Sequence, residues 1–136
     1  MRLLLDTNAL IWLLNGDQQL SCEAKAAIED ESNMIFVSAV SVFEMAVKIR
    51  IGKLKMDLSS AVARIDESDI ERLDIRDKHC LAMASIVAAP GHRDPFDLML
   101  VAQAMTEDMT LVSSDHMLEH YPVNVLPCAT GNPKSA

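Results

Sequence analysis

The chain begins MRLLLDTNALIWLL, and Asp6, Thr7 and Asn8 interrupt an otherwise apolar run. An ionised carboxylate taken out of water without a partner costs several kcal/mol. Asp6 therefore either stands at a strand end where water returns, or holds something that neutralises it. Three more acids are placed as oddly. Glu44 is embedded in VSVFEMAV and Asp97 in PFDLMLVAQA, segments that are apolar nearly all round, and helices of that kind are normally buried. Asp115 closes TLVSSD, directly after a short strand-like run.

Each acid also has a purely structural reading. Ser41-Val-Phe-Glu44 fits a capping box, and Asp94-Pro95-Phe96-Asp97 fits an N-cap followed by proline and a second acid. Asp6 would cap TNALIWLL and Asp115 would cap HMLEHY. Taken together, the four acids have a more economical explanation. Carboxylates from two strand ends and two helix first turns meet in one crevice, where divalent cations cancel their repulsion. Oxygen ligands without a histidine or thiolate pattern select Mg²⁺ or Mn²⁺ rather than zinc. Such a cluster suits phosphoryl chemistry, in which a metal ion activates water and steadies the leaving oxygen.

The elements that must position these acids alternate along the chain. RLLL, MIFVS, IERLDI, TLVSSD and VNVLP read as strands, mostly continuous apolar runs of the kind buried on both faces. Between them lie TNALIWLLN, SCEAKAAIEDE with Ser21 as N-cap, and a long helix from about residue 38 or 41 to 50. SSAVARIDES, DKHCLAMASIVAA up to Pro90-Gly91, and DPFDLMLVAQAMTED also read as helices. This order predicts an α/β fold with a central, mostly parallel sheet covered on both faces. In such a sheet ligands bind outside the carboxyl ends of the strands, where Asp6 and Asp115 fall. One domain over residues 1–127 is expected, with 128–136 as a flexible tail.

Composition narrows the classes. The 136 residues are 50% hydrophobic with four glycines, which excludes disordered and collagen-like chains. The opening segment lacks a signal-peptide pattern, and no window approaches the ~20 apolar residues of a membrane span. A cytoplasmic protein is expected. Cys22, Cys80 and Cys128 form no CxxC pair, which argues against structural zinc and a disulfide framework, and for reduced core thiols. The net charge of −8 disfavours nucleic acid in general, although two bound divalent cations would halve it. Lys48, Arg50, Lys53 and Lys55 concentrate four of the twelve basic residues in KIRIGKLK. They are candidate RNA or protein contacts, or a solvated face. Arg93, beside the proposed site, is another such candidate. His116 and His120 have metal-like spacing without the glutamate of HExxH, and surface histidines are the simpler reading.

LLLDTNALIW, SAVSVFEMAVK, HRDPFDLMLVAQA and TLVSSD occur in the order and approximate spacing of the PIN domain, and the chain most resembles the VapC-type toxins of bacterial toxin–antitoxin pairs. The resemblance runs from Met1 to about Leu126. It implies a three-layer α/β/α fold and a Mg²⁺- or Mn²⁺-dependent endoribonuclease that hydrolyses RNA phosphodiesters with a metal-activated water. Asp6, Glu44 and Asp97 match the family's acidic triad, and Asp115 its more variable fourth acid. Thr7 and Asn8 match small polar residues that support Asp6 and its surroundings, and Ser113 a residue that orients the site. Asp94 stands close enough to Asp97 for a direct or supporting role. A cognate antitoxin and a homodimer are implied as well. Leu98 stands where relatives often carry a basic residue.

Two other phosphate-handling classes fail on identifiable residues. A haloacid-dehalogenase-type phosphatase needs a second aspartate where Asn8 stands, and a receiver domain needs paired acids at the first strand and a late lysine. The remaining alternative is a PIN-like dimeric binding module with weak or no nuclease activity. A pure scaffold has no reason to bury four acids.

Overall fold

The computed structural model describes residues 1–91 and 94–130. Five strands and six helices follow one another as β1 (Arg2–Leu5), α1 (Thr7–Asn15), α2 (Cys22–Glu29), β2 (Met34–Ser38), α3 (Ala39–Arg50), α4 (Leu58–Glu67), β3 (Glu71–Leu73), α5 (Asp77–Ser85), α6 (Pro95–Glu107), β4 (Thr110–Ser113) and β5 (Val125–Pro127), with a 3₁₀ helix at His116–His120 between the last two strands. The strands form one sheet in the order β3-β2-β1-β4-β5. Every pairing is parallel, with Leu4 opposite Phe36 on one side and Leu111 on the other.

The period-two alternation of a strand sorts the core into two layers. Leu3, Leu5, Ile35, Val37 and Val112 face one side and pack with Leu10, Leu14, Met45, Ala61 and Ile65. Leu4, Phe36 and Leu111 face the other and pack with Leu100, Val101, Ala104, Leu118 and Tyr121. A sheet covered on both faces by helices is the three-layer α/β/α arrangement expected from the sequence. It also explains why β1 has no polar residue after Arg2: both sets of side chains are buried.

Local signals set most boundaries. Gly16 ends α1 in the left-handed conformation (φ 61°), and its N–H turns back to the carbonyls of Trp12 and Leu13. Ser21 caps α2 by accepting from the N–H of Ala24. α3 begins at Ala39 because Ser38, not Ser41, is its N-cap and accepts from Val40. The capping box Ser41–Glu44 is thus not formed, and Glu44 sits in the second turn rather than the first. α5 stops at Ser85, short of the expected end near Pro90. Ile86 is extended there, as suits the first of two consecutive β-branched residues.

The chain stays paired beyond β5. Cys128 is fully buried, its carbonyl accepts from Ser21 N–H, and Thr130 N–H donates to Gln19. Residues 128–130, assigned by sequence to a tail, are therefore packed; residues 131–136 of that tail lie outside the described residues. The thiols also differ from expectation. Cys22 and Cys80 are exposed, and only Cys128 belongs to the core. Among the described residues no helix is long and apolar enough to cross a membrane.

Candidate active site

In this strand order the chain leaves β1 toward β2 on one side, while β4 lies on the other. The junction between β1 and β4 is a topological switch point, where the elements leaving the strand ends diverge and open a crevice. Asp6 follows β1 directly and Asp115 lies just past β4. The two strand ends are locked in register, because Asp6 N–H donates to Val112 carbonyl at 2.9 Å.

A cleft of about 260 Å³ opens there, lined by Asp6, Glu44, Asp94, Asp97 and Asp115 together with Thr7, Asn8, Lys48 and Ser114. Five acids from four separate segments of the chain converge on it. Three of them also cap helices, as the structural readings foresaw. Asp6 accepts from Ala9 N–H at 2.8 Å, Asp94 from Phe96 N–H at 2.9 Å, and Asp115 from Met117 N–H at 2.9 Å. A capping carboxylate uses one oxygen lone pair and keeps others for a ligand, so capping and ligation are compatible. Pro95 at the start of α6 fixes that helix's entry, with Asp94 as cap and Asp97 in the first turn.

Glu44 is held differently. It is buried at 7% exposure, and both carboxylate oxygens have partners. Thr7 Oγ1 donates to Oε1 at 2.5 Å, and Lys48 Nζ lies 3.2 Å from Oε2. Thr7 Oγ1 is also 3.2 Å from the buried Ser41 hydroxyl. Thr7 therefore supports Glu44 rather than Asp6. Asn8 reaches toward Ser114 Oγ at 3.5 Å, at the opposite lip of the cleft.

Asp6 is 4% exposed, and its carboxyl is pushed up to about 6, first by burial and then by the nearby charge of Glu44. Hydrogen bonds from Ala9 N–H, the Ser113 hydroxyl and Ser114 N–H oppose the rise without cancelling it. Ser113 is itself buried, and its hydroxyl accepts from Asp115 N–H at 3.0 Å, so one serine joins the two strand-end acids. A buried carboxylate with a raised pKa beside a second carboxylate is the electrostatic signature of a site short of positive charge.

The donor set fits a hard divalent cation, since the acids supply oxygen alone. Among the described residues no group of three or more His, Cys, Asp or Glu side chains is gathered closely enough to hold a metal ion by itself. His116 and His120 are exposed, and on a 3₁₀ helix a spacing of four does not align them as a chelating pair.

Of the basic candidates, Lys48 enters the cleft. Arg50, Lys53 and Lys55 are exposed at the end of α3 and beyond it and do not line the cleft; Arg93 lies outside the described residues. Sequence reasoning read Ser41 only as a helix cap, did not single out Ser114, and took Lys48 for an RNA or protein contact or part of a solvated face. Ser41 and Lys48 flank Glu44 at helical spacings of three and four, the signal that puts them on its face.

The family model for the PIN domain matches residues 3–124. Among solved structures, the fold is similar to VapBC2 from Rickettsia felis bound to a DNA fragment from their promoter, with 19% identity, a TM-score of 0.69 and coverage of 94% of this chain and 99% of that one. It is also similar to FitAcB from Neisseria gonorrhoeae, with 19% identity, a TM-score of 0.65 and coverage of 91% and 96%. A third is VapBC-5 from Mycobacterium tuberculosis, a member of the VapBC family of toxin–antitoxin systems, with 20% identity, a TM-score of 0.62 and coverage of 93% and 98%. At these identities the likeness is one of fold. No curated protein matches the chain in sequence.

Proposed function

The chain belongs to the PIN-domain family, and on that premise we propose that it is a Mg²⁺- or Mn²⁺-dependent endoribonuclease, the VapC-type toxin of a toxin–antitoxin pair. The observation that carries this reading is the convergence of Asp6, Glu44, Asp94, Asp97 and Asp115 on one cleft at the β1–β4 switch point. Five acids in one crevice repel one another. Their cost is intelligible if a cation is bound there and unexplained if the module only binds a protein.

Asp6, Glu44 and Asp97 would hold the divalent ion, with Asp115 completing the site or positioning the ion through water. When bound, the ion supplies Lewis acidity, activating water for in-line attack on a phosphodiester and stabilising the leaving oxygen. The chain's own groups set the geometry. Thr7 fixes the rotamer of Glu44, Ser113 ties Asp6 to Asp115, and Asp94 holds the first turn of α6 so that Asp97 faces the cleft. The acids also repel a free phosphodiester, so the cleft admits RNA only after its charge is offset. Lys48, Arg50, Lys53, Lys55 and Arg93 would contact RNA or the antitoxin.

Two similar structures, one from Klebsiella pneumoniae and VapBC-5, are a toxin–antitoxin complex and a member of a toxin–antitoxin family, which supports an antitoxin as partner. A homodimer and a cytoplasmic location complete the proposal. The test is cleavage of total cellular RNA by antitoxin-free protein with Mn²⁺, with EDTA, and with Asp97→Asn. Cutting at few sites that needs the metal and is lost in the variant is expected. Failure of folded, metal-saturated protein to cut any RNA would overturn the nuclease reading.

A further inference from the structure

Among the described residues Lys48 is the one basic side chain that lines the acidic cleft. It stands one helical turn after Glu44 on α3, with its Nζ 3.2 Å from Glu44 Oε2. An exposed pair at this spacing is weak, because water and salt screen it. This pair differs, because the Glu44 side chain is 9% exposed and Lys48 is 34% exposed. Glu44 Oε1 is already taken by the Thr7 hydroxyl. The ammonium thus stands on the other carboxylate oxygen, where it opposes any cation that Glu44 would meet.

We propose that Lys48 is a cation tethered inside the cleft: it holds Glu44 in the metal-free protein and competes with a divalent ion for the same carboxylate. The inference rests on the metal-dependent reading above and adds to it a device that limits affinity. A buried glutamate with no countercharge would rotate out toward water. Lys48 keeps it in place, with Thr7 as the second anchor. An incoming divalent ion must then share or displace the ammonium, and the local repulsion weakens binding. A long, flexible lysine stem lets the ammonium move aside without moving α3. Lys48 is in this sense a positioning residue.

The test is calorimetric titration of Mn²⁺ into the full chain at ~0.15 M salt, where exposed charges more than about 8 Å away are screened. The wild type is compared with Lys48→Met, Lys48→Gln, Lys48→Arg and Lys25→Met. Lys25 is an exposed residue of α2 that does not line the cleft, so its replacement makes the same change in net charge elsewhere. Removing a positive charge a few Å from a divalent ion should lower the Kd on the order of tenfold in Lys48→Met and Lys48→Gln. Lys48→Arg should remain near wild type, and Lys25→Met should not change.

An unchanged or weaker Kd in both neutral variants of Lys48 overturns the inference and leaves the metal site standing. An equal tightening in Lys25→Met overturns it too, since net charge alone would then be responsible. Absence of Mn²⁺ binding to the wild type overturns the metal reading and this inference with it.

Discussion

Replacing Asp6 by Asn should stabilise the metal-free protein while removing its response to metal. Asp6 has its carboxyl raised from 3.8 to about 6, chiefly by burial. At 1.36 kcal/mol per unit, holding that side chain ionised costs about 3 kcal/mol in the folded state above pH 6. Asn has nearly the same shape, is as good an N-cap, and can still accept from Ala9 N–H. It presents a donor where the second carboxylate oxygen stood, so the N–H of Ser114 loses an acceptor, at a cost of about 1 kcal/mol. A net gain of about 1–2 kcal/mol is expected in urea melts at pH 7.5 in EDTA.

The gain depends on pH in a defined direction. A carboxyl whose folded pKa is raised leaves the wild type at full stability below pH 3.8, and that stability falls as the pH rises through about 6. The advantage of Asp6→Asn should accordingly be absent near pH 3.5, grow between pH 4 and 6, and level off above. Mn²⁺ at a hundredfold excess over Kd should add about 2.7 kcal/mol to the wild type and much less to the variant, reversing their order. A variant less stable than wild type in EDTA at pH 7.5 would refute the assignment of Asp6 as an uncompensated buried charge. So would equal stabilisation of both proteins by Mn²⁺.

Thr7→Val keeps the shape of the side chain but removes the donor to Glu44 Oε1; a loss of about 1.5–3 kcal/mol is expected from chemical denaturation, as for a hydrogen bond to a charged group. Glu107 lies 2.7 Å from the buried ring of His79 and 3.0 Å from Lys78, and these partners hold its carboxyl below the usual range, His79 first. The stabilisation from a depressed carboxyl is present above its unfolded pKa near 4.5 and lost as the pH falls through the folded value. Glu107→Gln should therefore cost stability at pH 7 and approach wild type on acidification below pH 4, followed by thermal melts across that range. The Cys128 thiol is pushed up to about 12 by burial and by Asp6. Ellman's reagent at pH 8 should titrate Cys22 and Cys80 quickly in the native protein and reach Cys128 only on unfolding.

Part of this protein could be read directly from its residues. Apolar strands alternating with amphipathic or apolar helices allow few arrangements other than a parallel sheet covered on both faces, and the observed sheet is wholly parallel. The four central acids were conspicuous for a local reason: a carboxylate in an apolar run is costly wherever the run folds, so Asp6, Glu44, Asp97 and Asp115 stood out before any fold was known. Asp94 was equally plain as the cap before Pro95.

The tertiary structure decided how those acids meet and which groups support them. The competition between Ser38 and Ser41 for the N-cap of α3 was settled by where β2 ends, and that choice moved Glu44 into the second turn. Thr7 adjoins Asp6 in sequence but donates to Glu44, thirty-seven positions away, because α1 begins at Thr7 and turns its hydroxyl toward α3. Cys128 and the two residues after it looked like a tail because two of the partners that hold them, Gln19 and Ser21, lie more than a hundred positions earlier. Lys48 read as one of four basic residues in a run until the helix placed its ammonium on Glu44. Periodicity and the cost of burying charge act on neighbours along the chain and are written in the sequence. Partner choice among polar groups brought together from distant segments depends on distances of an ångström or two, which only the packed fold fixes.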